Sequence, residues 1–413
     1  MLYAAHEFPD AHRMAHDWTT HLESQQGHLM IPCMFRRRRL SSLLLLSLFT
    51  TSVTRGAEDY YDIGEVYQDV TTSSPDAQTW VDRGLAMCFG FNHEEAVKCF
   101  EKAIQADPGC AMAHWGTAYA LGPNMNNMKI VSDQMAQAYH AVHLADLLKG
   151  KTTELEQQLI EALANRYAST VPEDRGPLNQ AYATVMKEVA AKHQDNVLAT
   201  FLYAESLMNM QPWAHWDREG NPAELTPEIV KVIENGLKRW PDSPSLCHLY
   251  IHVMAMSQTP EKALDAADRL YGAVGGSGHL IHMPSHIYMR VGDYEQVVDS
   301  NAAAIAVDDE YVQDAGPYNF YSLYRIHNYH FLVYGAMFDG QSNVALRTAK
   351  AIKTQVPEDM LKGQVDFLDA FMPTDLHVMI RFGKWNEILA EPKPADVASY
   401  AALCTRDCIC SHR

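Results

Sequence analysis

The residues that could do chemistry are histidines, and their spacing singles them out. His248-Leu-Tyr-Ile-His252 is followed by His279-Leu-Ile-His282-Met-Pro-Ser-His286. His248 and His282 are 34 residues apart, and so are His252 and His286. Positions i and i+4 of a helix share a face, so each pair points one way. Thirty-four residues is also the period of a two-helix repeat, which would lay the pairs side by side on neighbouring helices. His327-Asn-Tyr-His330 repeats the His279/His282 spacing 48 residues on, one period plus 14 residues. Neutral imidazole is the commonest metal ligand. Packed helices lie about 8–10 Å apart, close enough for rings from two of them to meet at one ion. The expected core ligands are therefore His248, His252, His282 and His286, with Glu205, His279, His327 and His330 completing or orienting the shell. A mixed set of imidazole and carboxylate suits zinc, iron, copper or manganese.

Two other readings of the same residues stay open. The histidines could form the polar wall of a groove that takes a peptide or protein segment without metal. Alternatively, an ion with an open coordination position could activate water or oxygen, making the chain a metalloenzyme. No Ser/His/Asp order, P-loop or HExxH motif names a reaction. The chain holds 20 histidines, so the argument rests on position rather than number. His114, His143, His193 and His377 stand alone and read as surface or hydrogen-bonded positions. Met254, Met256, Met283 and Met289 read as core filler, with thioether ligation of copper the lesser option.

Composition narrows the class. The chain of 413 residues is 47% hydrophobic, ample for a folded core, and its formal charge of −18 argues against a nucleic-acid partner. Its eight cysteines include no CxxC pair; Cys404, Cys408, Cys410 and His412 crowd the C-terminus without a recognisable zinc knuckle. Residues 1–33 lack helical periodicity. From Met34, four arginines, a short leucine-rich run and small residues near Gly56 and Ala57 predict a secretory signal peptide, hence a secreted or extracytoplasmic chain. That apolar run falls short of the roughly 20 residues a membrane span requires. The expected organisation is an N-terminal extension with signal peptide over 1–56, a lead-in linker over 57–75, helical repeats over 76–395 and an aberrant Cys-rich tail over 396–413.

The elements that position the histidines are read from periodicity and breakers. Helices are expected over 133–149, 152–168 and 177–192, with Pro172 and Gly176-Pro177 separating the last two, and again from Asn196 to Met210. A loop from Gln211 to Leu225 holds Trp213, His215 and Trp216. Pro227 to Arg239 is the next helix, and the first histidine helix starts near Pro244. A unit from Gly278 to Asp309 turns at Gly292-Asp-Tyr294, and another runs from Tyr321 to Pro357. Between them Gly316 marks the 14-residue insertion, and Asp366 to Leu389 forms a last helix pair. Asn124, Asn126 and Asn127 read as turn and cap residues.

Within the first unit, Trp80, Gly84, Ala96, Phe100, Ala103 and Pro108 fall at the spacings of the tetratricopeptide (TPR) pattern. Residues 76–395 thus resemble tetratricopeptide-repeat proteins, which implies an all-α, TPR-like α-solenoid: a right-handed superhelix of antiparallel helix pairs. They are similar, more narrowly, to a mainly bacterial group with segments reading HLYIH, GHLVHMPSHIYxRVGxY and HNxHF. These stand here as His248–His252, Gly278–Tyr294 and His327–Phe331. The resemblance implies that helix A of each repeat lines a concave groove. Its register turns all seven histidines from His248 to His330 toward that groove, with Glu205 and Asn209 on an upstream helix A. Members of the group often carry Glu three residues after the second His of HLYIH, where this chain has Ala255.

Overall fold

A computed structural model describes residues 60–61, 64 and 66–391. The chain divides between residues 61 and 62 into two units, and the helices from Pro75 onward all belong to the second. The expected signal segment from Met34 and the Cys-rich tail lie outside the described residues. Among the described residues there is no strand, and no helix is long and apolar enough to cross a membrane.

The fold is all-α and TPR-like. Helix α1 (Pro75–Phe89) packs on α2 (His93–Ala106), the pair with five of the six pattern residues, Pro108 following just beyond α2. Ser74 caps α1 by accepting from the Ala77 N–H at 3.2 Å, and Asn92 caps α2 by accepting from the Glu95 N–H at 3.3 Å. A β-carbon on Gly84 would stand 2.6 Å from the buried Phe100 ring, so only glycine lets the two helices approach. Next come α3 (Ala111–Leu121), α4 (Ser132–Leu148), α5 (Glu154–Ala164) and α6 (Gly176–Lys192). Asn124 closes the turn after α3, its Oδ1 accepting from the N–H groups of Asn126 and Asn127 at 2.9 and 3.0 Å. Ahead of α1 the chain is anchored at Thr71, which donates from its N–H and its hydroxyl to Glu156 at 2.7 and 2.6 Å.

The histidine-bearing half begins with α7 (Val197–Met208) and α8 (Thr226–Arg239), followed by α9 (Pro244–Met254) and α10 (Leu264–Ala273). The expected single helix from Gly278 is interrupted. It forms α11 (Gly278–His282) and α12 (Pro284–Val291), because Pro284 has no N–H to continue the ladder. Gly292, at φ 88°, ends α12 in the left-handed region. Helix α13 (Tyr294–Ala315) runs on past Asp309, so extra helical turns take up part of the expected insertion. Then follow α14 (Tyr321–Phe338) and α15 (Ser342–Gln355). Two short helices, α16 (Glu358–Gly363) and α17 (Val365–Leu368), lead to a last pair, α18 (Thr374–Arg381) and α19 (Trp385–Ala390).

The first repeat also reaches the later ones directly. The Phe89 carbonyl meets His248 across 159 positions of sequence. The Tyr311 hydroxyl donates to Asn92 Oδ1 at 3.4 Å, and the Phe320 N–H to Glu94 at 3.4 Å. These contacts bring the α1–α2 turn against the histidine helices. An open groove lined by seven histidines is thereby corrected: His248, His252, His279, His282 and His330 are buried. The cysteines Cys88, Cys110 and Cys247 are free and buried, and Cys99 is buried.

Candidate metal centre

Helix α9 carries His248 and His252 one turn apart on one face. His279 and His282 lie three residues apart on α11, His286 sits beyond Pro284 on α12, and His327 and His330 belong to α14. The structure sorts them into two triads. His248, His252 and His279 offer donor nitrogens that all lie within 4.8 Å of one another, and so do His282, His286 and His327. All three rings of the first triad are buried; in the second, His282 is buried while His286 and His327 are half-buried. The expected quartet is thus divided between two groups, with His279 and His327 as full members.

Ring spacing fits one ion per triad. Three imidazoles bound at about 2.0–2.1 Å in a tetrahedral arrangement hold their ring centres about 5.2 Å apart. In the first triad the centres are 4.7, 5.0 and 6.1 Å apart. In the second they are 4.8, 4.8 and 5.8 Å apart.

Tautomers are set from outside the triads. His248 Nδ1 lies 2.7 Å from the Phe89 carbonyl, which can only accept, so Nδ1 carries the proton and Nε2 the lone pair. His282 Nδ1 lies 2.7 Å from Asn301 Oδ1, and the Asn301 amide is oriented by donating its NH2 to the Val297 carbonyl at 2.8 Å. His282 Nε2 is therefore a bare lone pair, 3.0 Å from His286 Nε2. A proton or a cation must stand between those two atoms. Hydrogen bonds of this kind orient metal-binding histidines. His279 is held through its backbone, donating its N–H to the Tyr321 hydroxyl at 3.0 Å.

Burial keeps the rings neutral. It lowers His248 to about 3, against the bond to Phe89 that favours the charged form. It lowers His282 to about 4, opposed by Asn301. His252, His279, His286 and His327 fall well below the usual imidazole range, first through burial and then through repulsion from the neighbouring histidines. His248 Nε2, His252 Nε2, both ring nitrogens of His279 and His327 Nε2 are buried without a hydrogen-bond partner. Leaving such groups unmade costs about 1–3 kcal/mol each.

Aromatic side chains cover both triads. The Phe91 ring lies 4.7, 5.6 and 5.5 Å from the rings of His248, His252 and His279. Trp213 approaches His252 edge-on at 5.7 Å. Phe91 and Trp213 are also the non-glycine residues with positive φ among those described, at 55° and 61°. Backbone strain of this kind collects at functional sites. Phe331 covers the second triad, 5.2, 4.7 and 5.5 Å from His282, His286 and His327.

Two expected shell residues lie elsewhere. Glu205 is buried, but it faces Arg166 at 3.8 Å and accepts from Asn209 Nδ2 at 2.5 Å, outside both triads. Helical register gives the face it occupies; its partner, a guanidinium arriving just beyond α5, has no sequence signal. His330 belongs to neither triad and packs on Tyr334 and Phe371, ring centres 4.8 and 5.1 Å away. Sequence reasoning missed Phe91, Asn301 and His215. His215 is buried, pushed down to about 4 by burial, and its Nε2 has no partner. Only the Trp213-to-Trp216 cluster in an expected loop hinted at it. His114 and His143 are ordinary, bonding to the carbonyls of Pro108 and Tyr139. Met254 and Met283 are buried as core filler, whereas Met256 is exposed.

The sequence matches no protein-family model and no curated protein. Among solved structures, the human IFIT1 dimer with m7Gppp-AAAA aligns over 81% of this chain and 71% of that one, at 11% identity and a TM-score of 0.41. The human IFIT1 dimer with PPP-AAAA aligns over 76% and 68%, at 11% identity and a TM-score of 0.39. The APC/C hetero-tetramer Cut9-Hcn1 aligns over 82% and 67%, at 12% identity and a TM-score of 0.27.

Proposed function

We propose that this TPR-like scaffold holds two transition-metal ions in its interior, one in His248/His252/His279 and one in His282/His286/His327. The observation that carries the reading is the convergence of ring nitrogens in groups of three: in the first triad His248 Nε2, His252 Nε2 and His279 have no hydrogen-bond partner, and in the second His282 Nε2 meets only His286 Nε2, beside an unpartnered His327 Nε2. An ion satisfies all the lone pairs of a triad at once, and neutral rings need lose no proton to bind it. A donor set of imidazole alone suits zinc or copper better than manganese, which favours oxygen ligands, or iron of the two-His, one-carboxylate kind. Three protein ligands leave a coordination position open, the arrangement of catalytic rather than structural zinc. A metal-free scaffold that takes a peptide would leave the buried nitrogens unsatisfied. Export through the segment from Met34 belongs to the same reading, and N-terminal sequencing of the native protein tests it.

Elemental analysis of the purified full chain tests the metal. Two equivalents per chain are expected, with a raised melting temperature when zinc or copper is added to chelator-treated protein. A chain with no stoichiometric metal, and no thermal shift with zinc, copper, iron or manganese, would make the peptide-binding scaffold the better account.

A further inference from the structure

The triads are neighbours as well as twins. His279 of the first and His282 of the second stand three residues apart on α11, about 4.5 Å along its axis. Their rings lie 6.1 Å apart at an interplanar angle of 27°. That is no wider than the 6.1 Å between His252 and His279 inside the first triad. Six imidazoles therefore form one continuous group with three donors at each end.

The charge of the site narrows the metal. No carboxylate belongs to either triad. Of the buried acids, Glu205 faces Arg166, while Asp308 accepts from Asn328 Nδ2 at 2.8 Å and sets its Oδ1 against Gly278 of α11. Two dications in a buried, uncharged donor set would bring four positive charges into a region of low dielectric, more than the Asp308 carboxylate beside α11 balances. Two monovalent copper ions bring half that charge, and three imidazoles satisfy trigonal copper(I). An anionic ligand bridging the pair would complete the compensation once the metals are oxidised.

Space for a small reactant lies beside Phe91, with no triad histidine in its lining. A cavity of about 80 Å³ is lined by Phe91, His93, Asn124, Phe320 and Tyr321. Phe91 also stacks on the His279 ring, and the Tyr321 hydroxyl accepts from the His279 N–H, so these two side chains touch both the cavity and the triad. The volume exceeds the roughly 10–15 Å³ one water requires in this measure.

We propose that the two triads act together as a dinuclear copper centre that binds dioxygen between its ions. This rests on the metal reading above and goes beyond it. Each copper(I) gives one electron to dioxygen, and a copper–oxygen bond forms at each metal. The O–O bond is retained, so the product is peroxide bridging two copper(II) ions. No proton or further reductant enters the step.

The test uses the full chain loaded with copper(I) under anaerobic conditions and then exposed to oxygen. The expected result is two coppers per chain, one dioxygen taken up per pair, a peroxide-to-copper charge-transfer band, and a copper(II) pair silent in electron paramagnetic resonance. His279→Ala should retain the second-triad copper, lose the charge-transfer band, and show one resonance-visible copper(II) per chain after oxidation. Two coppers per chain with two full-intensity, independent copper(II) signals would overturn the dinuclear proposal while leaving the metal reading intact. A His279→Ala chain that keeps the band would overturn it equally. A wild-type chain that retains no copper but binds two zinc ions would overturn the copper centre alone; one that binds neither metal overturns both.

Discussion

In the first triad every ring is buried, with Phe91 and Trp213 packed against them; in the second, His286 and His327 stay half-buried under Phe331. The first draws its rings from α9 and α11 and has its tautomer set by a backbone carbonyl from the first repeat. The second draws on α11, α12 and α14 and is oriented by the side chain of Asn301 on α13. The same three imidazoles are thus supported by long-range closure of the solenoid in one case and by neighbouring helices in the other. Depth should govern exchange. The second triad is expected to load and release metal faster, while the first should need the α1–α2 turn to move.

Acidification gives the largest expected effect. An unfolded histidine titrates near 6.5, whereas His248 falls to about 3 and His282 to about 4 in the fold. The unfolded chain takes up the proton first, so their contribution is complete above about pH 6.5 and is lost as the pH falls toward 4. At about 1.4 kcal/mol per pH unit for each ring, these two alone cost about 4 kcal/mol by pH 5. Chelator-treated protein should therefore melt progressively lower across that interval, with the metal-loaded form following a different curve. A flat melting temperature between pH 7 and 5 would contradict the neutral, buried triads.

Phe91 separates the two sites next. Phe91→Ala should cost about 3–4 kcal/mol by denaturant titration and loosen metal at the first triad only. Phe91→Gly should be about 1 kcal/mol less damaging than the alanine variant, because glycine has no penalty at φ 55°. Equal loss of both ions would show that Phe91 supports the whole fold rather than one triad.

Asn301→Ala reverses the comparison. It removes the acceptor for His282 Nδ1, so affinity at the second triad should fall about 10–100-fold in metal titrations while the first is unchanged. The smallest effect belongs to His377→Ala, outside both triads, where stability should move by less than about 0.5 kcal/mol and metal content not at all.

Much of the fold is legible in the sequence. The i,i+4 pairs, the pattern residues from Trp80 to Pro108 and the turn glycine Gly292 follow from local rules that tertiary contacts do not override. Division of the histidines is not, because it falls between His279 and His282, which share α11: each joins the rings that other helices bring to it, and the 34-residue register carries no information about that. Burial is not legible either. It depends on the α1–α2 turn meeting residues more than 150 positions away, and periodicity carries no information about such contacts. Glu205 marks the same limit: its face can be counted, but the guanidinium of Arg166 that claims it cannot.

Metal content of the purified full chain beside His248→Ala and His282→Ala tests the two-site account most directly. Two ions are expected in the wild type and one in each variant, with helical content by circular dichroism unchanged in all three. Equal metal content across the three chains, or none in the wild type, would contradict it.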